Sequence, residues 1–238
     1  MFYAIYGPNT NTVTRVKAEK DRLLKSNKKL KSRGFFTRAN AEYFAKHGLC
    51  REEHENLLEV KEMVEKGEVA HVYTDGASSQ KKFGKKNIKF AGAGIYWKNN
   101  RLPEQSLKVD DNKPDGKKVR TSQRAELHAV IVALNTAAKE LQARKLLIST
   151  DSEYVIKCIS NRQKYHSYHF LTKTGTDMPN KDLLKKLYTA AQHVKPFAIH
   201  VKGHSGDHGN TQADRLAVSA RKAWQEEVNL NYASGQQV

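Results

Sequence analysis

The order in which apolar residues change period between Val69 and Trp224 restricts the fold more than any other feature of this chain. Val69 to Tyr73 reads as a strand, Ile88 to Trp97 alternates as a second, and Leu102 to Val109 makes a third. A polar loop carrying Lys81, Lys82, Lys85 and Lys86 is expected between the first two. From Ser122 the period becomes helical, with Leu127, Val130, Ile131 and Leu134 on one face up to Leu141. Lys145 to Ser149 is then a buried strand, Ser152 to Ile159 a helix, and Lys181 to His193 another helix entered at Asn180. Phe197 to Val201 is the last strand, and Asn210 or Thr211 caps a final helix through Trp224. Three strands followed by strands alternating with helices predict an α/β fold: a mixed sheet with helices on its faces.

The rest of the chain divides by composition. Residues 1–47 open with an alternating strand (Phe2, Ala4, Tyr6), turn at Gly7-Pro8-Asn9, and run through a Lys/Arg-rich stretch from Arg15 to Arg33. A short helix from Asn40 to His47, capped by Thr37 and stopped by Gly48, closes this small basic domain. Residues 48–68 are rich in Glu and read as a helical or partly disordered connector, a solvated charge run without chemistry of its own. Residues 69–225 form the main domain and 226–238 a tail. A length of 238 residues suits one large domain, or one medium and one small.

Against 42 Lys and Arg stand 25 Asp and Glu, a net charge of +17. Such an excess points to a polyanion, with nucleic acid first, because each phosphate neutralised releases counterions. The plainer reading is solubilising charge. No apolar run approaches the roughly 20 residues that a membrane span needs, and Met1 to Tyr6 is too short for a signal-peptide core. No membrane partner is expected. Cys50 and Cys158 read as reduced thiols of an intracellular protein. Cys50 and His54 have a zinc-like spacing, but no second ligand pair accompanies them, so no structural zinc is expected.

In so basic a chain, four acids stand in short signatures of their own. Asp75 lies in Tyr73-Thr74-Asp75-Gly76-Ala77 and Glu126 in Gln123-Arg124-Ala125-Glu126-Leu127. Asp151 lies in Thr150-Asp151-Ser152 and Asp214 in Ala213-Asp214-Arg215-Leu216. Asp75 follows the first strand and Asp151 the fourth. If those strands are adjacent and parallel, their C-terminal ends lie side by side, where such sheets bind ligands. Glu126 sits in the first turns of one helix and Asp214 near the start of another, so all four can form one cluster. Unpaired it would repel itself, and it calls for cations. Magnesium prefers oxygen ligands, and two such ions can drive attack on a phosphodiester. Each acid alone has a plainer role: Asp151 as a helix cap, Asp214 at a helix dipole, Glu126 as an exposed helical residue, Asp75-Gly76 as a turn.

The ordered set of signatures resembles ribonuclease H type 1, of the eukaryotic kind. Besides the four above, the last of which runs on to Ala217, it includes Ala-Gly-Ala-Gly-Ile (91–95), Val-Lys-Gly-His-Ser-Gly (201–206) and Gly-Asn (209–210). The resemblance implies a five-stranded mixed sheet flanked by helices, a ribonuclease H-like fold. It also implies two Mg2+ ions, with Mn2+ a substitute, and hydrolysis of the RNA strand of RNA–DNA hybrids to 5′-phosphate and 3′-hydroxyl ends. By the same resemblance Asp75, Glu126, Asp151 and Asp214 bind the metals. His204 matches a mobile-loop histidine able to shuttle protons or assist product release.

A nuclease for hybrids must recognise the 2′-hydroxyl of RNA. Gly76, Ser78, Ser79, Ser122 and Gln123 lie beside the acids in sequence and are candidates, although the family usually has Asn where this chain has Ser122. Arg120, Thr121 and Asn180 resemble a pocket for a DNA-strand phosphate, with Arg120 offset by one residue. In the segment after the Asp151 helix, where better-known eukaryotic members carry tryptophans, this chain has Tyr165, Tyr168 and Phe170 among Lys157, Arg162, Lys164 and Lys173. Phe36 to Phe44 and Phe2 to Ile5 resemble the end and the opening strand of the small hybrid-binding domain that precedes many eukaryotic members, without its Trp-containing stretch. Tyr3 and basic residues near Lys31 and Arg33 would there contact the duplex backbone.

The expectation is thus a monomeric, intracellular, metal-dependent nuclease acting on RNA–DNA hybrid, with nucleus, mitochondrion and cytoplasm all open. The alternatives are a catalytically silent protein that binds hybrid or double-stranded RNA, and a nuclease domain derived from a retroelement.

Overall fold

The computed structural model describes residues 1–7, 10–47, 50–110, 119–203 and 206–234. The chain forms two compact units, Met1–Glu62 and Met63–Val238.

In the first unit β1 (Phe2–Gly7) is the centre of an antiparallel sheet, between β2 (Thr10–Thr14) and β3 (Lys31–Phe35). Helix α1 (Lys17–Ser26) joins β2 to β3, and α2 (Arg38–His47) packs on the sheet. Its Ala41, Phe44 and Ala45 bury against Ala4, with Tyr6 edge-on to Phe44 at 5.1 Å. The opening strand and a helix capped by Thr37 were legible, and the Asn40 N–H does reach Thr37 Oγ1 at 3.3 Å. The strands β2 and β3 and the helix between them were not. Their polar sequences (Thr-Asn-Thr-Val-Thr, Lys-Ser-Arg-Gly-Phe) become strands by pairing with β1, a long-range cause. Gly48 lies outside the described residues. The Glu-rich segment is one helix, α3 (Arg51–Glu65).

The second unit is a five-stranded mixed sheet in the order β6-β5-β4-β7-β8. Its strands are β4 (Ala70–Phe83), β5 (Lys86–Trp97), β6 (Gln105–Lys108), β7 (Lys145–Thr150) and β8 (Lys195–His200). β4, β5 and β6 run antiparallel, whereas β4–β7 and β7–β8 are parallel. The helices are α4 (Ser122–Glu140), α5 (Glu153–Ser160), α6 (Arg162–Ser167), α7 (Lys181–His193) and α8 (His208–Ala233). Leu127, Val130, Ile131 and Leu134 of α4 are buried with Val72, Ile95, Leu146, Ile148 and Leu187 in one core. Each such side chain removed from water stabilises the fold by about 1.5–3 kcal/mol.

Three expectations need correction. β4 does not end near Tyr73: it pairs with β5 without a break from Val72↔Trp97 to Phe83↔Lys86. The lysines expected in a loop therefore lie along a hairpin ribbon. It closes through Gly84 and Lys85, with Gly84 at φ 55°, a conformation glycine adopts freely. Second, α8 is capped by Asp207, whose Oδ1 accepts from the Asn210 N–H at 2.9 Å, rather than by Asn210 or Thr211. Third, α8 runs on to Ala233 instead of stopping at Trp224. Its continuation is held by the ribbon, through Trp224 and Val228 packed with Phe83 and Phe90.

The repeated Gly of residues 91–95 has a steric cause. A Cβ on Gly94 would stand 2.0 Å from the Ala213 carbonyl oxygen of α8. Glycine there lets α8 lie directly on β5, which brings Asp214 over the sheet.

Candidate active site

Asp75 lies within β4, opposite Gly94 of β5, not after the strand as expected. The parallel pairing of β4 with β7 ends at Tyr73↔Ser149. Two residues further on come Asp75, still within β4, and Asp151, just past the end of β7, so the two acids stand side by side. Glu126 projects from the second turn of α4, and Asp214 from α8.

Asp75 is only 9 % exposed. Burial pushes its carboxyl up to about 7. The Gly76 N–H, donating to Oδ1 at 2.7 Å, works against this, while Asp151, Asp214 and Glu126 add to it by charge repulsion. All three other acids are therefore within electrostatic reach of Asp75. Burial also raises Glu126; the Ser152 hydroxyl, donating to its Oε2 at 2.5 Å, opposes that shift and Asp151 reinforces it. Glu126, Asp151 and Asp214 are thus gathered around Asp75. Among the described residues no three His, Cys, Asp or Glu close on one point tightly enough to grip a single ion. The donor set nevertheless suits a hard divalent cation: it is all carboxylate oxygen, and its most buried member resists ionising without compensation.

Close backbone packing positions the cluster. A Cβ on Gly76 would lie 2.2 Å from the Glu126 backbone nitrogen, so only glycine lets β4 and α4 meet there. The Thr121 hydroxyl caps α4 by accepting from the Arg124 N–H at 3.3 Å. Ser152 caps α5 through the Val155 N–H at 3.2 Å, so Asp151 is not the cap and remains available. Asp214, in the second turn of α8, is likewise not its cap. The site of Gly203 borders Asp151 Oδ2, 2.7 Å from where a Cβ would stand. His204 lies outside the described residues. His71 is structural, bound to Ser149 Oγ at 2.8 Å and stacked on Tyr73.

Of the candidates for substrate contact, Ser78 and Ser122 meet, with hydroxyls 2.9 Å apart beside Gly76. Gln123 is exposed next to them. Asn180, at φ 58°, donates to the Tyr154 hydroxyl at 2.9 Å and accepts from Arg124 Nη1 at 3.3 Å. It is thereby tied to the first turn of α4, where Thr121 stands. Arg120 makes different contacts: its guanidinium pairs with Asp110, donates to the Lys89 carbonyl at 3.2 Å, and lies over the Trp224 ring at 4.4 Å. Tyr3 and Lys31 belong to the first unit. Tyr3 is half-buried under Lys20 Nζ at 4.8 Å, and Lys31 is exposed opposite Tyr6.

Two residues that position the site were missed. Arg124 is fully buried and bridges Asn180 to Asp182, its Nη1 lying 3.0 Å from Asp182 Oδ1. Ser152 steers Glu126. Both adjoin or belong to the acid signatures, but only the fold gives them partners.

The family model for RNase H matches residues 67–222. The chain belongs to the ribonuclease H family. It is 38 % identical over 157 residues to Ribonuclease H1 of Rattus norvegicus, spanning 66 % of this chain and 51 % of that one. It is 30 % identical over 208 residues to Ribonuclease H of Saccharomyces cerevisiae, spanning 79 % of this chain and 56 % of that protein. The chain thus spans about half the length of these relatives. Among solved structures, a foamy viral protease-reverse transcriptase in complex with RNA/DNA hybrid superposes with a TM-score of 0.52 at 21 % identity. That match covers 65 % of this chain and 20 % of the viral one, and shows the shared fold.

Proposed function

We propose that this ribonuclease H family member is a metal-dependent endonuclease that hydrolyses the RNA strand of RNA–DNA hybrids, giving 5′-phosphate and 3′-hydroxyl ends. The observation that carries this reading is Asp75: buried, raised to about 7, and repelled by Asp151, Asp214 and Glu126. A cluster that destabilises its own ionised form has a reason to exist if it gathers cations at a phosphodiester.

Asp75, Glu126, Asp151 and Asp214 would hold two Mg2+ ions, with Mn2+ able to substitute. Bound there, the ions would supply activation of water for in-line attack and stabilisation of the leaving 3′-oxygen. The protein's own groups set the stage. The Gly76 N–H fixes one oxygen of Asp75, and Ser152 fixes one of Glu126. The paired hydroxyls of Ser78 and Ser122, each able to donate and accept, stand beside the acids as readers of a 2′-hydroxyl, with Gly76 and Gln123 next to them. Thr121 and Asn180 are the candidates to grip a DNA-strand phosphate. Arg120 is already engaged by Asp110 and Trp224. His204, assigned on its motif, would carry protons or help product leave.

The first unit is read as a hybrid-binding-like domain over 1–47, tethered by 48–68 to the catalytic domain of 69–225, in a protein acting as a monomer. Beyond Tyr3 and Lys31 it presents Phe36, 89 % exposed, an aromatic surface that can stack on sugars or bases. A tethered second contact raises effective concentration and processivity.

The test uses labelled RNA–DNA hybrid beside matched double-stranded RNA and DNA, with magnesium, for the wild type and Asp151→Asn. Cleavage confined to the RNA strand of the hybrid and abolished in the variant is expected. Binding without cleavage, in magnesium and in manganese, would replace this reading with that of a silent hybrid-binding protein.

A further inference from the structure

The β4–β5 ribbon extends beyond the sheet. β7 leaves β4 after Tyr73↔Ser149, and β6 leaves β5 after Gly92↔Lys108. Past the Val109 N–H that still donates to the Ala91 carbonyl, Ser79–Phe83 and Lys86–Phe90 pair only with each other. An isolated two-stranded ribbon is marginal in water. This one is braced along one face by the last turns of α8. Ser79 Oγ meets Gln225 at 3.4 Å, Lys81 Nζ meets Asn229 at 2.9 Å, and the Phe83 and Tyr232 rings stand 5.5 Å apart edge to face.

Strand alternation puts Ser78, Gln80 and Lys82 on the opposite face, and the register sets Asn87 and Lys89 directly across from Lys82 and Gln80. All five are exposed. The stripe begins where Ser78 touches Ser122, beside the catalytic acids. From Gly76 to Trp97 the chain has lysines at 81, 82, 85, 86 and 89 and no acid. Asp110, which lines the same cavity, is engaged by Arg120. A cavity of about 660 Å3 opens alongside, lined by Gln80, Asn87, Lys89 and Arg120. Like charges concentrated on a braced arm repel one another, and a polyanion relieves that repulsion.

We propose that this stripe, with Lys82 and Lys89 as its charged contacts, is a second backbone-binding surface for the duplex, holding phosphates remote from the scissile one. The inference rests on the nuclease reading for the duplex it engages. Seven residues separate Asp75 from Lys82, about 24 Å at ~3.4 Å per residue. At ~3.4 Å of axis per nucleotide, the arm reaches roughly seven base pairs from the cut. Such contacts position the substrate and carry no sequence preference.

The test takes the full chain as wild type, Lys82→Ala/Lys89→Ala, Lys82→Arg/Lys89→Arg and, as a bulk-charge control, Lys139→Ala at the far end of α4. Binding of fluorescent hybrid is titrated in EDTA across a range of salt, and cleavage is followed separately with magnesium. Removing both lysines should flatten the slope of log affinity against log salt by up to about 2, at ~0.9 per phosphate released. KM should rise well beyond any change in kcat, as loss of uniform binding requires. The arginine pair should restore the slope, the control should not flatten it, and the KM penalty should shrink on hybrids trimmed to end short of the arm. An unchanged slope with unchanged KM overturns the proposal, as does an effect equal to that of Lys139→Ala. Increased aggregation with an unchanged slope would reassign the lysines to guarding an exposed ribbon against edge pairing. A wild type that binds but never cleaves overturns the nuclease reading instead, and the salt slopes measured in EDTA still decide the arm.

Discussion

Asp75→Asn should make the metal-free protein more stable at pH 8 while abolishing cleavage. The Asp75 carboxyl titrates near 7 in the folded protein, against 3.8 for a free side chain. The folded state therefore holds the proton more tightly than the unfolded chain. Stability contributed by the protonated group is lost progressively as pH rises through the window from about 4 to 7, and the loss is complete above it. Three units at ~1.4 kcal/mol each give about 4 kcal/mol as an upper bound. Because part of the shift comes from neighbouring carboxylates, about 2–4 kcal/mol is the working range. Asparagine keeps an oxygen to accept from the Gly76 N–H but carries no charge, so it removes this penalty with little loss of packing. For a unit of this size the gain corresponds to a Tm rise of about 5–15 °C. Thermal unfolding by circular dichroism in EDTA, from pH 4 to 8, measures it: the variant should pull ahead of wild type as pH rises and converge with it near pH 4. Magnesium should narrow the gap at pH 8 by stabilising wild type, since a ligand that binds only the folded state adds to its stability. A variant no more stable than wild type at pH 8 without metal would refute the account of Asp75 as a buried carboxylate strained by its neighbours.

Gly94→Ala should destabilise strongly, by about 3 kcal/mol or more, because its Cβ would meet the Ala213 carbonyl at 2.0 Å; chemical denaturation reads the loss, and a change under about 1 kcal/mol contradicts the packing argument. Ser152→Ala removes both the cap of α5 and the donor to Glu126, so it should cost about 1–2 kcal/mol and lower kcat, whereas Ser152→Thr should recover most of both. Arg124→Leu leaves Asp182 without its buried partner and frees Asn180; a loss of about 3–5 kcal/mol is expected in urea unfolding.

The sequence by itself marked out the acidic neighbourhood. Short signatures singled out Asp75, Glu126, Asp151 and Asp214, and the switch from three strands to alternating helices and strands predicted the mixed sheet. Those features are local: apolar period, a cap such as Thr37, and turn residues write themselves into a few consecutive positions. Tertiary structure decided what depends on distant partners. The lysine-rich stretch after Asp75 has the composition of a loop and becomes strand because β5 pairs with it and α8 braces its other face. α8 passes Trp224 because the same ribbon gives Trp224 and Val228 something to bury against. Arg120, which the sequence set beside Thr121 and Asn180, turns to Asp110 and Trp224, a choice made by which carboxylate and ring lie within reach. Arg124, unremarked in its motif, becomes the buried link between α4 and Asn180. Composition and period bias the backbone of each segment, but charge pairing and close packing are settled only when segments far apart in the chain come together.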